Sequence, residues 1–167
     1  MQNIAYLSLG SNIGDREARL REATEQIRKH GTVQAVSSFY ETEPIEFTDQ
    51  AWFLNCALAL QTEETPEELM RSMLQIEQQM GRQRVQRKGP RTIDIDILLF
   101  SNVTFDTPDL TIPHPAMAHR RFVLEPLAEI APDVMHPVLK KTTRILLGDL
   151  PLGQKVRKIR ADPWRRC

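Results

Sequence analysis

The chain has 167 residues, 41 % of them apolar and 26 % charged, with 22 lysines and arginines set against 22 aspartates and glutamates. That is the composition of one soluble globular domain with a core of ordinary size. The zero balance excludes a global field drawing the chain to nucleic acid or a membrane surface, so charge-driven chemistry must come from local clusters.

The opening "MQNIAYLSLGSN" lacks the basic-then-apolar pattern of a secretory leader. Ile4 to Leu9 predicts a strand, closed by "GSNIGD", where Gly10, Asn12 and Gly14 suit a tight turn. Asp15 to Lys29 predicts a helix with Leu20, Ala23 and Ile27 on one stripe. "TVQAVSSFYET" and "WFLNCALALQ" predict two further strands. The "EPIEFTDQA" between them is too long for a tight hairpin and suits a ligand-facing loop. Cys56 sits inside an apolar run and Cys167 is the last residue. A disulfide framework is therefore not expected, and a reducing compartment is. No apolar run approaches the about 20 residues of a membrane helix, so a cytoplasmic location is expected.

The next helix is the most legible. Thr65 is its N-cap candidate, Pro66 takes the first helical position and Glu68 completes a capping box. Leu69, Met73, Ile76 and Met80 form a core stripe, and Gly81 ends the helix. A basic loop from Arg82 to Arg91 leads into a strand within "GPRTIDIDILLF". The resulting β-α-β-β-α-β order is that of a ferredoxin-like sandwich, with additional strands and helices after it. From Ser101 the chain is proline-rich and reads as a layer on the same core, so residues 1–150 are expected to form one domain. "QKVRKIRADPWRRC" reads as the frayed part of a basic tail, 151–167.

The strand in "GPRTIDIDILLF" carries a contradiction. Its isoleucines and leucines predict burial, yet Asp94 and Asp96 lie two apart and so project from one face. Side by side they repel, and desolvating them without partners costs several kcal/mol. The loop before them holds Arg82, Arg84, Arg87, Lys88 and Arg91 with no acid among them. Alone, such a loop reads as a solvated surface, and a salt-bridge cluster with the aspartates is the structural alternative. Buried clusters of that kind are rarely a gain over apolar packing. Guanidinium forks match phosphate oxygens, and paired carboxylates hold Mg²⁺, which itself binds phosphate. A polyphosphate–metal complex between the two groups satisfies both.

No G-x-x-x-x-G-K-[ST] loop is present and "GSNIGDR" is not a G-x-G-x-x-G, so Gly10 and Gly14 are assigned to the turn. Farther on, "TIPHPAMAHRRFVLEPL" places His114 between two prolines in a rigid segment, with Arg120 and Phe122 close behind. A lone histidine is more often structural, but Arg120 and Arg121 favour a functional one if the segment folds over the phosphate site; His30 and His136 have no comparable setting, and His119 is ambiguous.

Together, "GPRTIDIDILLF" and "IPHPAMAHRRFVLEPLAEIAPD" resemble the 2-amino-4-hydroxy-6-hydroxymethyldihydropteridine pyrophosphokinases of folate biosynthesis. The resemblance extends through "LSLGSNIGD", "VSSFYETEP" and "FLNCALAL" in order and spacing, covering roughly Ile4 to Leu147. It implies a ferredoxin-like α/β sandwich that moves the β,γ-diphosphate of ATP onto the hydroxymethyl oxygen of 6-hydroxymethyl-7,8-dihydropterin, releasing AMP. It implies two Mg²⁺ ions on Asp94 and Asp96, with Asp94 also facing the pterin, and catalytic roles for Arg82 and Arg91 on the triphosphate. Arg84, Arg87, Arg120 and His114 would contact phosphate, and Glu77 would lie at the nucleotide pocket. Met70, Leu74, Ile97, Leu110 and Thr111 match positions around adenine. Phe53 and Phe122 match the two rings that stack on the pterin. Asn55 matches the reader of its amide-like edge, and Thr42, Pro44 and Ile45 line that edge. Without the resemblance, both phenylalanines read as core and Asn55 as a satisfied strand residue, and the apolar adenine positions could equally be core.

Lys88 stands where some members carry an aromatic residue, Glu46 where glycine is common, and Asp109 where a base sometimes occurs. No side chain is an obvious general base. Metal and arginine electrostatics are expected to supply most of the rate, with the hydroxyl activated near Asp96. The segments around Phe47 and Arg84 lack core periodicity and are expected to close over substrates. An RNA-binding module is the rival on this fold, but the sheet lacks its exposed aromatics. A nucleotide-sensing module without turnover is the other. The expected partners are ATP and the pterin alone, with neither nucleic acid nor membrane, and a monomer.

Overall fold

The computed structural model describes residues 2–43, 52–81, 92–153 and 155–160. Strand β1, Asn3–Ser11, turns Ala5, Leu7 and Leu9 fully into the core. Helix α1, Arg16–Ile27, starts on Asp15, whose carboxylate accepts from the Ala18 N–H at 3.1 Å, and Gly14 takes φ +67° just before it. A 3₁₀ turn over Arg28–His30 leads to β2, Thr32–Val36, and β3, Phe39–Thr42.

The sequence predicts one strand where β2 and β3 stand. Ser37 and Ser38 break it, because their side chains give the backbone alternative partners. The Ser37 hydroxyl donates to the Ser38 carbonyl at 2.8 Å and accepts from the Ala57 N–H at 2.8 Å. Ser38 turns its N–H and hydroxyl to the Glu129 carboxylate, at 2.9 and 3.0 Å.

Strand β4, Phe53–Thr62, is almost wholly buried. Helix α2, Pro66–Gln79, has the expected capping box: the Glu68 N–H donates to Thr65 Oγ1 at 3.2 Å, and the Thr65 N–H to Glu68 Oε1 at 2.8 Å. Gly81 follows at φ +83°, the left-handed geometry of a helix stop. Strand β5, Asp94–Phe100, is followed by a small hairpin of β6, Phe105–Asp106, and β7, Thr111–Ile112. Helices α3, Arg121–Ile130, and α4, Thr143–Gly148, precede β8, Val156–Arg160.

The main sheet runs β5-β1-β4-β3-β8, with β2 on the same edge of β4 as β3 and every pairing antiparallel. This is the ferredoxin-like arrangement with added elements. Its back face packs Leu7, Leu9, Cys56 and Ile95 against Leu20 and Ile27 of α1 and Leu69, Met73 and Ile76 of α2. Its front face packs Ala57 and Leu99 against Val123, Leu124 and Leu127 of α3 and Leu146 of α4. Two expectations are corrected. Residues 156–160, read as part of a frayed tail, form an edge strand on β3 instead, a pairing that a basic, proline-flanked sequence does not advertise. Gly10, assigned to the turn, lies inside β1. No described helix is long and apolar enough to cross a membrane.

Candidate active site

Strand alternation places the candidate residues. Asp94 pairs in register with Gly10, Gly10 with Asn55 and Asn55 with Tyr40, so these side chains share the front face in one cross-strand row. Asp96 begins the next row, opposite Ser8, which lies opposite Ala57. Phe53 and Thr42, themselves paired, extend the same face. Helix α3 covers that face at Ala57, and Phe122 in its first turn packs against the Ala57 cluster. The end of the front face beyond α3 therefore carries Asp94, Asp96, Asn55, Thr42 and Phe53, with Phe122 at its border.

Asn55 is 4 % exposed, yet among the described residues its Oδ1 has no hydrogen-bond partner, and neither does the buried Thr42 Oγ1. A buried oxygen without a partner costs about 1–3 kcal/mol, and native structures hold few of them. Two such atoms on neighbouring strands and one face are a pair of vacant acceptor sites, one of which (the Thr42 hydroxyl) can also donate. Gly10 makes room for this arrangement: a Cβ there would lie 2.7 Å from Asn55 Nδ2. The amide thus leans over Gly10, whose register partner on the other side of β1 is Asp94.

Asp94 and Asp96 are half-buried while Ile95 and Ile97 between and beyond them are buried on the opposite face. Among the described residues no cluster of three or more histidine, cysteine, aspartate or glutamate side chains forms a closed metal cage. Two hard carboxylates on an open face fit Mg²⁺ nonetheless, since that ion keeps waters and substrate phosphates as its other ligands.

His114 reaches the same end of the sheet. Its N–H donates to the Leu98 carbonyl of β5 at 2.9 Å, and its Nδ1 accepts from the Ala116 N–H at 3.1 Å. An accepting Nδ1 leaves the ring proton on Nε2, which can donate outward. Burial lowers the His114 pKa, the Arg120 charge lowers it further, and the Asp94 charge opposes both. The ring is therefore a neutral donor at pH 7, between a guanidinium and a carboxylate. Arg120 itself lies over the Phe122 ring, 5.6 Å from its centroid.

Glu77 is 2 % exposed and its Oε2 accepts from the Ile95 N–H at 2.7 Å, so it satisfies the outer edge of β5 from α2. Met70 and Leu110 pack half-buried against the back-face core, Ile97 is buried in it, and Leu74 is half-buried on α2. Thr111, on β7, reaches Asp106 at 3.5 Å. Asp109 is exposed. Pro44, Ile45, Glu46, Phe47, Arg82, Arg84, Arg87, Lys88 and Arg91 lie outside the described residues, and with them the two segments expected to close over substrates.

Behind the front face lies a cleft of about 490 Å³ lined by Asn12, Gly14, Arg16, Glu41, Trp52 and Arg157. Sequence reasoning named none of its charged residues. Gly10 did leave a signal, because a glycine continuing a strand marks a close approach.

Comparison with known proteins gives one answer. Residues 6–132 match the family 7,8-dihydro-6-hydroxymethylpterin-pyrophosphokinase (HPPK). A 2-amino-4-hydroxy-6-hydroxymethyldihydropteridine pyrophosphokinase of Bacillus subtilis is 52 % identical over 136 residues, covering 80 % of this chain and 81 % of the relative. One of Methylorubrum extorquens is 47 % identical over 133 residues, covering 78 % and 84 %. The folic acid synthesis protein FOL1 of Dictyostelium discoideum is 40 % identical across 96 % of this chain, which spans 24 % of that longer protein. The crystal structure of Plasmodium falciparum HPPK-DHPS with pteroate superposes with a TM-score of 0.73 at 19 % identity. It covers 89 % of this chain, which spans 42 % of that one.

Proposed function

Since this chain belongs to the 7,8-dihydro-6-hydroxymethylpterin-pyrophosphokinase family and is a pyrophosphokinase of folate synthesis, we propose how its own residues divide the work. The reaction moves the diphosphate of ATP to the hydroxymethyl oxygen of 6-hydroxymethyl-7,8-dihydropterin and leaves AMP. The observation that carries the assignment is the pair of buried oxygens without a partner among the described residues, Asn55 Oδ1 and Thr42 Oγ1, on the face that carries the two aspartates. A pterin edge alternates donors and acceptors, and it supplies the partners these atoms lack. Phe53 and Phe122 bound the slot for its ring.

Asp94 and Asp96 would hold two Mg²⁺ ions, which when bound neutralise charge on the transferring phosphates. The aspartates face the phosphates from the sheet, and Asp94, in the Asn55 row, also fixes the pterin end of the line of transfer. Neutral His114 donates from Nε2 to a phosphate oxygen without adding charge to that already brought by Arg120. Arg82 and Arg91 are assigned to the triphosphate, with Arg84 and Arg87 beside them, because guanidinium forks stay charged and bind phosphate in pairs. Met70, Leu74, Ile97, Leu110 and Thr111 are assigned to the adenine side, and Glu77 supports β5 beneath it. We take the chain to act as a cytoplasmic monomer, and sedimentation of the purified protein tests the monomer.

AMP formation from ATP and Mg²⁺, with and without 6-hydroxymethyl-7,8-dihydropterin, tests the assignment in wild type and Asp96→Asn. Pterin-dependent AMP release should fall by at least about 100-fold in the variant. A folded wild type that binds ATP but releases no AMP would refute it.

A further inference from the structure

The cleft behind the front face lies at the root of the hairpin that carries Thr42 and Phe53. Four observations define it and tie it to the C-terminal strand. Arg16, on the first turn of α1, donates from Nη1 to the Trp52 carbonyl at 2.7 Å and from Nη2 to Glu41 Oε2 at 2.9 Å. Arg157 of β8 donates to the other oxygen of Glu41 and lies over the Trp52 ring, 5.7 Å from its centroid. The Glu43 N–H donates to the Lys155 carbonyl at 3.3 Å, and the Lys155 N–H to Glu43 Oε1 at 2.8 Å. Val156 pairs with Thr42 in register.

Glu41 precedes Thr42 and Trp52 precedes Phe53. Because Thr42 and Phe53 are register partners and strand side chains alternate, Glu41 grips from behind a pair whose side chains face the substrate. One carboxylate shared by two guanidiniums, with the backbone of Trp52 held by the first and its ring by the second, fixes the separation and twist of the two strand ends. Both ends must hold still for Thr42 Oγ1 and the Phe53 ring to meet one ligand, since small misplacements cost large factors. Arg157 and Lys155 lie beyond residues 6–132, the part matched to the family.

We propose that Arg157, acting with Arg16 through Glu41, is a positioning residue for the pterin half of the reaction, so that the C-terminal strand sets pterin affinity without touching the substrate. This rests on the assignment of Thr42, Phe53 and Asn55 to the pterin. The Arg157 side chain is 69 % exposed and Glu41 keeps Arg16 when it is removed, so losing Arg157 costs little global stability while releasing local geometry.

The test is steady-state kinetics of Arg157→Met, Glu41→Gln and the double variant, with melting temperatures measured alongside. Arg157→Met should raise the KM for the pterin by roughly threefold to tenfold while the KM for ATP and kcat stay within about twofold, and the melting temperature should move by less than about 3 °C. The double variant should be no worse than the poorer single one, because both break the same contact. An unchanged pterin KM in folded Arg157→Met would overturn the proposal, as would equal increases in both KM values, which report a general loosening. Wild type that turns over normally beside an unaffected variant sinks the clamp alone. Wild type without pterin-dependent AMP release removes the assignment beneath it.

Discussion

Gly10→Ala isolates the spatial demand at the centre of the site. The residue sits inside β1 without a positive φ, so alanine meets no backbone strain there. Its new Cβ would stand 2.7 Å from Asn55 Nδ2, and the next nearest atoms, Asn55 Cγ and the Leu54 carbonyl oxygen, are at an ordinary 3.8 Å. To regain a contact of 3.4 Å, the Asn55 amide must retreat by about 0.7 Å. Overpacking of this kind costs about 1–3 kcal/mol, a loss of roughly 3–10 °C in melting temperature for a domain of this size. If Asn55 reads the pterin as proposed, displacing its amide by most of an ångström lowers kcat/KM for the pterin by about 10- to 100-fold, with the KM for ATP little changed. Coupled AMP production at varied pterin and varied ATP separates the two. The decisive control is the same substitution in an Asn55→Ala background. There the clash is gone, and Gly10→Ala should stabilise by about 0.4–1 kcal/mol through the restricted unfolded chain. If Gly10→Ala destabilises equally with and without Asn55, the amide is not what the glycine makes room for.

Thr42→Val replaces a buried hydroxyl without a partner among the described residues with a methyl of similar shape; it should raise the urea midpoint, worth about 1 kcal/mol, and weaken pterin binding. A lower midpoint would show that the hydroxyl is satisfied in the folded chain. Glu77→Leu strips the acceptor from the Ile95 N–H and should destabilise by about 1–3 kcal/mol, whereas Glu77→Gln, which keeps an acceptor, should lose less; equal losses would refute that role. Burial lowers the pKa of His136 below its ordinary 6.5, and its Nδ1 accepts from the Val138 and Leu139 N–H groups. A folded pKa below the unfolded one means stability is full above pH 6.5 and is lost as pH falls through the lowered value. His136→Asn, which retains an acceptor but does not titrate, should flatten the fall in urea midpoint as pH drops below 6.5; an unchanged slope would refute the assignment.

Much of the fold is legible in the sequence because local signals agree with the global arrangement. The capping box of α2 and its Leu69–Met73–Ile76 stripe appear where spacing puts them. The two aspartates are conspicuous because two charges in an apolar strand contradict burial, and contradictions of that sort tend to mark function. Asn55 and Thr42 are different. Nothing local separates a site asparagine from a satisfied strand asparagine, and only the resemblance singles them out. Their distinguishing property, an oxygen with no partner among the described residues, shows only in the folded sheet, and for Asn55 it goes with a glycine 45 positions earlier in the chain that makes room for the amide. The cleft with Arg16, Glu41 and Arg157 is invisible in the sequence for the same reason. Its ion pairs span 25 and 116 positions, and nothing local in the basic tail announces that β8 lies beside β3.

The two faces of the sheet divide incompatible demands. The back face is a dry layer in which Leu7, Leu9, Cys56 and Leu58 meet α1 and α2, and burial there stabilises at about 25 cal/mol per Å². The front face near Gly10 holds features that oppose stability: half-buried carboxylates two apart and oxygens with no partner among the described residues. Such groups persist only where the surroundings over-determine them. The same strands serve both faces, so rigidity gained behind the sheet is transmitted to Asp94, Asn55 and Thr42 in front, one residue away along each strand. Under the proposed assignment, a bound pterin would supply those hydrogen bonds without reorganising the backbone, as a preorganised site requires.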